Sequence, residues 1–362
     1  MSARPTAPAG VEVVVEASRR VVFGIGAARR AGEEVAALGR ERALVVATPG
    51  RSALARQVED ALGEAHVATA AVARLHTPAA VSEATAHRAR EVRADCVVAV
   101  GGGSAIGLAK GVAARTGIDQ VVLPTTYAGS EQTDVLGEVV DGVKRTRSGP
   151  EIRPETIIYD PELTLALPVG VSVASAFNAM AHAVEALYDP SAPPAATARA
   201  AAGLAQMASA LPAIAADPAD PTGRAAALRA AWACGRALAG ARMGLHHQLC
   251  HIVAGDHGLD HAATHTVLLP HVMAYNLPAA PAAATAIAAA LDAARPAVAV
   301  RQLALRLGAP ASLRALGLAD LDVDAVVDRV AAAPYPNPRP LEPAALRALL
   351  TAALEGRSVE DA

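Results

Sequence analysis

Seven of the chain's eleven histidines fall between His246 and His271, in the run HHQLCHIVAGDHGLDHAATHTVLLPH. Imidazole ligates metals and exchanges protons near neutral pH, so this run is the densest concentration of possible chemistry in an otherwise alanine-rich sequence. His247 and His251 stand four apart, as do His261 and His265, which puts each pair on one face wherever the segment is helical. The apolar residues between them favour a buried or cleft-lining setting over the alternative of a solvated, histidine-rich surface.

A second region of chemical interest is Gly101-Gly102-Gly103-Ser104, which follows the apolar run CVVAV and precedes the helical run AIGLAKGVAAR. Glycines at a strand-to-helix turn let main-chain N–H groups approach a phosphate, and the helix N-terminus adds partial positive charge. A tight turn that merely needs positive φ is the plainer reading. The next apolar run ends in Leu-Pro-Thr-Thr-Tyr-Ala-Gly-Ser, so two consecutive strands end in polar loops where open α/β sheets bind ligands. The run ALVVAT is followed by Pro49, Gly50 and Arg51, without the Asp or Glu that holds ribose hydroxyls in NAD-specific sites. Thr48 is neutral there, and Arg51 is either a partner for a 2′-phosphate or a surface residue of the next helix. NADPH is therefore expected as cofactor, alongside NADH.

The elements that must carry these residues are legible in the patterning. Val11 to Ala17, Val21 to Phe23, Ala43 to Thr48, Val67 to Val72, Cys96 to Val100, Val121 to Pro124 and Thr156 to Asp160 read as strands. Amphipathic helices are expected between them at Ala28 to Leu38, Ser52 to Leu62 and Ala80 to Val92. That alternation predicts a parallel, Rossmann-like α/β dinucleotide-binding domain over 1–160. The remainder, 161–362, is rich in Ala and Leu with helical periodicity and predicts an all-helical substrate domain. Lys and Arg total 32 against 35 Asp and Glu, so no nucleic-acid footprint is present. Cys96, Cys234 and Cys250 lie far apart and form no CxxC pair, which fits a reducing cytoplasm and no disulfide framework. Neither a signal peptide nor a convincing membrane span is read, so a cytoplasmic protein with no membrane partner is expected.

GGGSAIGLAK, LPTTYAGSE, IIYDPELTLALP, NAMAHAVEALY and the histidine run ending LLPHVMAYN occur in order along nearly the whole chain. Together they resemble the iron-containing (group III) alcohol dehydrogenase family, whose fold joins a dinucleotide-binding α/β domain to a helical metal domain like that of dehydroquinate synthase. Within it, TTYAGSE, the Asn of FNAMAHAVEALY, GLHHQLCH, HAATHTVLLPH and PYPNPRP are most similar to the maleylacetate reductase branch. That resemblance implies NADH- or NADPH-dependent reduction of the carbon–carbon double bond of maleylacetate to 3-oxoadipate in aromatic degradation, or of a related enone, by a homodimer. It implies pyrophosphate on Gly102, Gly103 and Ser104, with Thr125, Thr126 and Ser130 lining the adenylate and nicotinamide approach and Lys144 near the ribose.

The family's metal-ligand positions correspond to Asn178, His182, His247 and His261, and its substrate-side catalytic histidine to His251. Asn178 stands where metal-dependent relatives carry Asp, and a neutral amide removes charge that would hold a hard cation. No metal is therefore expected, although His182, His247 and His261 could still hold Zn²⁺ or Fe²⁺. His251, with His247, His182 and His261, then supplies proton donors to an enolate formed by hydride addition. Arg242 and Arg339 are the sequence candidates for anchoring a dianionic substrate; Gln248 is a neutral neighbour where the branch tends to carry Lys. The rival readings are a metal-dependent alcohol dehydrogenase, a lyase of the dehydroquinate synthase type and an idle nucleotide-binding module.

Overall fold

A computed structural model describes residues 10–16, 19–332 and 335–359, with the side chains of 51 and 52 outside the described set. The 2′-phosphate reading of Arg51 thus lies outside the described residues. The chain forms two compact units: 1–126 with 130–167 and 219–228, and 127–129 with 168–218 and 229–362.

The first unit is built on a seven-stranded sheet. Its strands are β1 (Glu12–Glu16), β2 (Arg19–Phe23), β3 (Ala43–Val46), β4 (His66–Ala70), β5 (Cys96–Gly101), β6 (Asp119–Pro124) and β9 (Thr156–Tyr159). They lie in the order β1-β2-β9-β6-β5-β3-β4. All neighbours are parallel except β1, which pairs antiparallel with β2. The central strands read as continuous apolar runs because both faces are covered: every residue of β3 and β5 is buried. Helices α1 (Ala31–Ala37), α2 (Ser52–Leu62), α3 (Ala79–Glu91) and α4 (Gly103–Thr116) connect them, close to the ranges the periodicity predicts.

One element of this unit departs from the sequence reading. Strands β7 (Val135–Val140) and β8 (Val143–Ser148) form a separate antiparallel hairpin. Every residue of β8, VKRTRS, is exposed, so no apolar alternation marked it. The turn residues Asp141 and Gly142 have φ of 50° and 76°, the left-handed pair that an Asp-Gly hairpin turn requires.

The second unit is helical. It contains α5 (Val169–Tyr188), α6 (Pro194–Ala216), the later part of α7 (Pro221–Leu238), α8 (Leu245–His257), α9 (His261–Asn276), α10 (Pro281–Leu291), α11 (Pro296–Arg306), α12 (Val323–Ala332) and α13 (Pro343–Glu355). The stretch Pro281–Arg306 is apolar enough for a membrane span by composition, yet it is divided into α10 and α11 around Asp292, which sits at a φ of 47°. The α8–α9 joint matters most for the site. Gly258 ends α8 in the left-handed conformation at φ 63°, and Asp260 caps α9 by accepting from Ala263 N at 2.7 Å. So short a joint folds the two histidine-bearing helices back on each other. Leu245, Leu249, Cys250 and Val253 of α8 then pack with Val267, Leu268 and Val272 of α9 in one core.

Candidate active site

A candidate phosphate cradle lies within the sheet unit and is mostly main chain. From β3 the chain reaches β4 on one side and β5 on the other, so the gap between β3 and β5 is a topological switch point. Val46 pairs with Ala99 and Gly101 with Pro124, which brings Thr48, Gly102 and Thr125 out of the sheet side by side. Thr125 N donates to Gly101 O at 3.0 Å, fixing the two loops to each other. A Cβ on Gly102 would lie 2.9 Å from Thr126 Cγ2, so a larger residue there would have to push the Thr126 side chain aside. Gly103, the first residue of α4, is exposed, and a Cβ on it would meet nothing within 4 Å. No side chain caps that helix; Ala105 N and Ile106 N donate to Gly102 O at 3.0 and 3.2 Å, which leaves the N–H groups of Gly103 and half-buried Ser104 without a side-chain acceptor. An anion is the natural occupant of such a terminus.

Buried Lys110 fixes the neighbouring turn. Its Nζ donates to Ser130 O at 2.7 Å, Thr133 O at 2.8 Å and Val135 O at 3.0 Å, and burial pulls the amine down to about 7. Ser130 Oγ is buried without a hydrogen-bond partner. Lys144 lies on exposed β8, opposite Val139.

Within the helical unit, a separate candidate site is made of side chains. On α5, Asn178, His182 and Glu185 share a face by their spacing. His246, His247, Cys250 and His251 come from α8, and His261 and His265 from α9. The His182 and His247 rings stack at 4.9 Å, and those of His251 and His261 at 5.2 Å. His251 is exposed, His261 half-buried, and His182 and His247 are buried. Burial first, then the neighbouring imidazoles His247, His261 and His251, holds His182 well below the usual histidine range, so it is neutral. The same two causes keep His246 and His265 neutral.

Two residues without an assigned role in the sequence reading organise these rings. Glu185, fully buried, accepts from His247 Nδ1 at 2.5 Å, from His246 N at 2.9 Å and from the Tyr188 hydroxyl at 3.2 Å. A carboxylate on Nδ1 fixes the proton there and turns Nε2 into the working nitrogen. His265 Nε2 meets His261 Nε2 at 3.1 Å, while its Nδ1 meets His246 Nε2 at 2.9 Å. Glu185 stands three residues after His182 and seven after Asn178, a helical-face signal that was present in the sequence. His265 was visible as the partner of His261 at four-residue spacing, but its hydrogen bonds were not.

The expected metal-ligand set can be tested on its own atoms. Asn178 Oδ1, His182 Nδ1 and His247 Nε2 are buried and without hydrogen-bond partners, so they present three free polar atoms. The first is a neutral amide, and the fourth position's Nε2, on His261, is taken by His265. A divalent cation held by one carboxylate and three imidazoles does not fit this arrangement. Among the described residues, the metal-ligating group that does converge is His246, Cys250 and His265, with donor atoms within 4.8 Å of one another. Its nitrogens are already joined to one another, and burial pushes the Cys250 thiol well up.

Arg242 and Arg339 hold local structure. Arg242 donates from its main-chain N to Asp189 Oδ2 at 2.7 Å and from Nε to Ser191 Oγ at 3.0 Å. Arg339 lies over the Tyr275 ring, 4.2 Å from its centroid, and donates to Tyr275 O at 3.3 Å. His271 is a structural residue: it is buried, with Arg301 Nη1 at 3.4 Å from its Nε2.

Comparison with known proteins places the chain in one family along both units. Residues 18–161 match the family described as iron-containing alcohol dehydrogenase, and residues 172–354 match the C-terminal part of the Fe-containing alcohol dehydrogenase family. The chain is 47% identical to the maleylacetate reductase of Rhizobium sp. (strain MTP-10005), over 96% of this chain and 99% of that protein. It is 45% identical to maleylacetate reductase 1 of Rhodococcus opacus, over 93% and 94% of the two chains. The crystal structure of maleylacetate reductase from Agrobacterium tumefaciens superposes with a TM-score of 0.91 at 44% identity, covering 97% of this chain and 99% of that one.

Proposed function

The chain belongs to the iron-containing alcohol dehydrogenase family and is an NAD(P)H-dependent oxidoreductase, and from that premise we propose that it reduces the carbon–carbon double bond of maleylacetate to give 3-oxoadipate. The observation that carries this reading is the 47% identity to a maleylacetate reductase along almost the full length of both chains.

The reaction balances simply. Hydride from C4 of the reduced nicotinamide adds to the alkene carbon β to the substrate ketone, oxidising NAD(P)H to NAD(P)⁺. The π electrons move onto the ketone oxygen as an enolate, and a proton then closes on the carbon between. The main-chain cradle at Gly102, Gly103 and Ser104, with Thr48, Thr125 and Thr126 on the adjoining strand ends, holds the dinucleotide, and Ser130 and Lys144 are its further contacts in this reading. The neutral position at Thr48 accommodates both NADH and NADPH.

The histidines handle the proton. His251, exposed to solvent, is the general acid and is reprotonated from water. His247 presents Nε2, its nitrogen without a partner, to the pocket that receives the enolate, and Glu185 on Nδ1 keeps the ring in that orientation. His182 and His261 complete the polar lining. No step passes through a metal ion, and Asn178 is the first reason. The protein acts as a homodimer in the cytoplasm.

The test is oxidation of NADH and of NADPH with maleylacetate, beside a panel of aldehydes and simple ketones. Turnover is expected with maleylacetate and little with saturated carbonyls. Reduction of aldehydes in the absence of maleylacetate turnover would instead identify an alcohol dehydrogenase.

A further inference from the structure

We propose that His265 is a positioning residue that withholds His261 from any metal-ligand set and thereby keeps this pocket a proton-donor site. The inference rests on the metal-independent reading above and supplies its second physical cause, distinct from Asn178.

The outcome is the same whichever way the protons lie. His261 Nε2 and His265 Nε2 are 3.1 Å apart. If His265 donates, the lone pair of His261 Nε2 lies in that hydrogen bond. If His261 donates, its Nε2 carries the proton. In either state this nitrogen offers no lone pair to a cation.

His265 cannot easily turn aside. It is fully buried, and its other nitrogen meets His246 Nε2 at 2.9 Å. His246 is itself buried and anchored, its main-chain N donating to Glu185 Oε1 at 2.9 Å and its ring 3.6 Å from Cys250 Sγ. Rotating His265 would strand polar nitrogens of two rings in an apolar core, which protein interiors avoid. His247 provides the contrast within the same pocket. Its carboxylate partner binds Nδ1 and leaves Nε2 without a partner, whereas His261 has its Nε2 occupied. Glu185 and His265 therefore set neighbouring imidazoles to opposite availability.

The test is the Zn²⁺ affinity of the metal-stripped protein, measured by competition with a chromophoric chelator for wild type, His265→Leu and His265→Gln. His265→Leu is expected to bind Zn²⁺ at least about tenfold more tightly, because His261 Nε2 is released. His265→Gln keeps an amide at the same reach and is expected to stay within about twofold of wild type. Unchanged or weaker binding in His265→Leu overturns the proposal; weaker binding would mean that His261 ligates through its other nitrogen with His265 in support, or that His265 itself ligates. Should the Leu variant not fold, ¹⁵N-histidine spectra of wild type titrated with Zn²⁺ decide. Ring shifts are expected at His182 and His247, and a zinc-induced shift at His261 Nε2 sinks the idea. These readouts are independent of maleylacetate turnover, so failure of the functional reading and failure of this one are separable.

Discussion

At the carboxyl ends of β3, β5 and β6 the binding surface is main chain, whereas on α5, α8 and α9 it consists of side chains that other buried side chains hold. In the first region glycines leave space and the register of parallel strands does the positioning. In the second, Glu185 and His265 decide which nitrogen of each histidine is available. The two designs are suited to their ligands. A pyrophosphate is satisfied by any convergent set of N–H groups, while delivering a proton to one carbon requires one ring in one orientation.

This difference predicts that substitutions in the two regions separate in kinetics. The largest effect is expected for His251→Ala: kcat for maleylacetate reduction falls by about 10²–10⁴, the usual contribution of a general acid, with the KM for NADH unchanged. An equal rise in the KM for NADH would break the division of labour. Next comes Glu185→Gln, which keeps the shape but removes the charge behind His247. Its kcat is expected to drop about 10- to 100-fold, as for other residues that orient a working imidazole, again without change in NADH affinity.

The third expectation concerns pH and distinguishes the regions by stability. The helical unit buries His182, His246, His265 and His271, all with pKa values lowered by burial, and His271, further depressed by Arg301, is pulled to about 4. In the sheet unit, His66, His76 and His87 are half-buried or exposed. An unfolded chain takes up these protons near pH 6.5 and the folded helical unit does not, so stability present above that pH is lost as pH falls through the His271 value. The His271 share is at most about 3 kcal/mol, at roughly 1.4 kcal/mol for each tenfold in proton affinity. Denaturant unfolding of wild type and His271→Gln between pH 7 and about 4 measures it; parallel curves would contradict the assignment. The smallest effect is expected for Gly103→Ala. Its Cβ enters open space, so stability holds, but the methyl intrudes on the phosphate path and raises the KM for NADH by about tenfold, roughly 1.4 kcal/mol. An unaltered KM would remove Gly103 from the cradle.

The same contrast explains what could be read from the sequence. GGGS between an apolar run and a helical run is a local pattern, so the strand, the turn and the helix of the cradle were legible together. The ring residues His182, His247, His251 and His261 were legible through resemblance, and the helical spacing of the last two segments supported it. Glu185 was not, because a lone Glu in an apolar helix acquires meaning only when α8 is laid against α5. His265 is legible only as the helical neighbour of His261, since its hydrogen bond to His246 joins α8 to α9 in space. The β7–β8 hairpin escaped because β8 carries no buried face, although Asp141-Gly142 marked its turn. Segments 127–129 and 219–228 pack with the unit opposite to their sequence neighbours, which no local pattern encodes.

The central claim is that protons from histidines, and not a cation, activate the enone. The most direct measurement is NADH oxidation with maleylacetate by protein stripped with a strong chelator, with iron and zinc quantified before and after. Full turnover in metal-free protein, unaffected by added Fe²⁺ or Zn²⁺, is the predicted result. Loss of activity on chelation, restored by either ion in proportion to its occupancy, would contradict it.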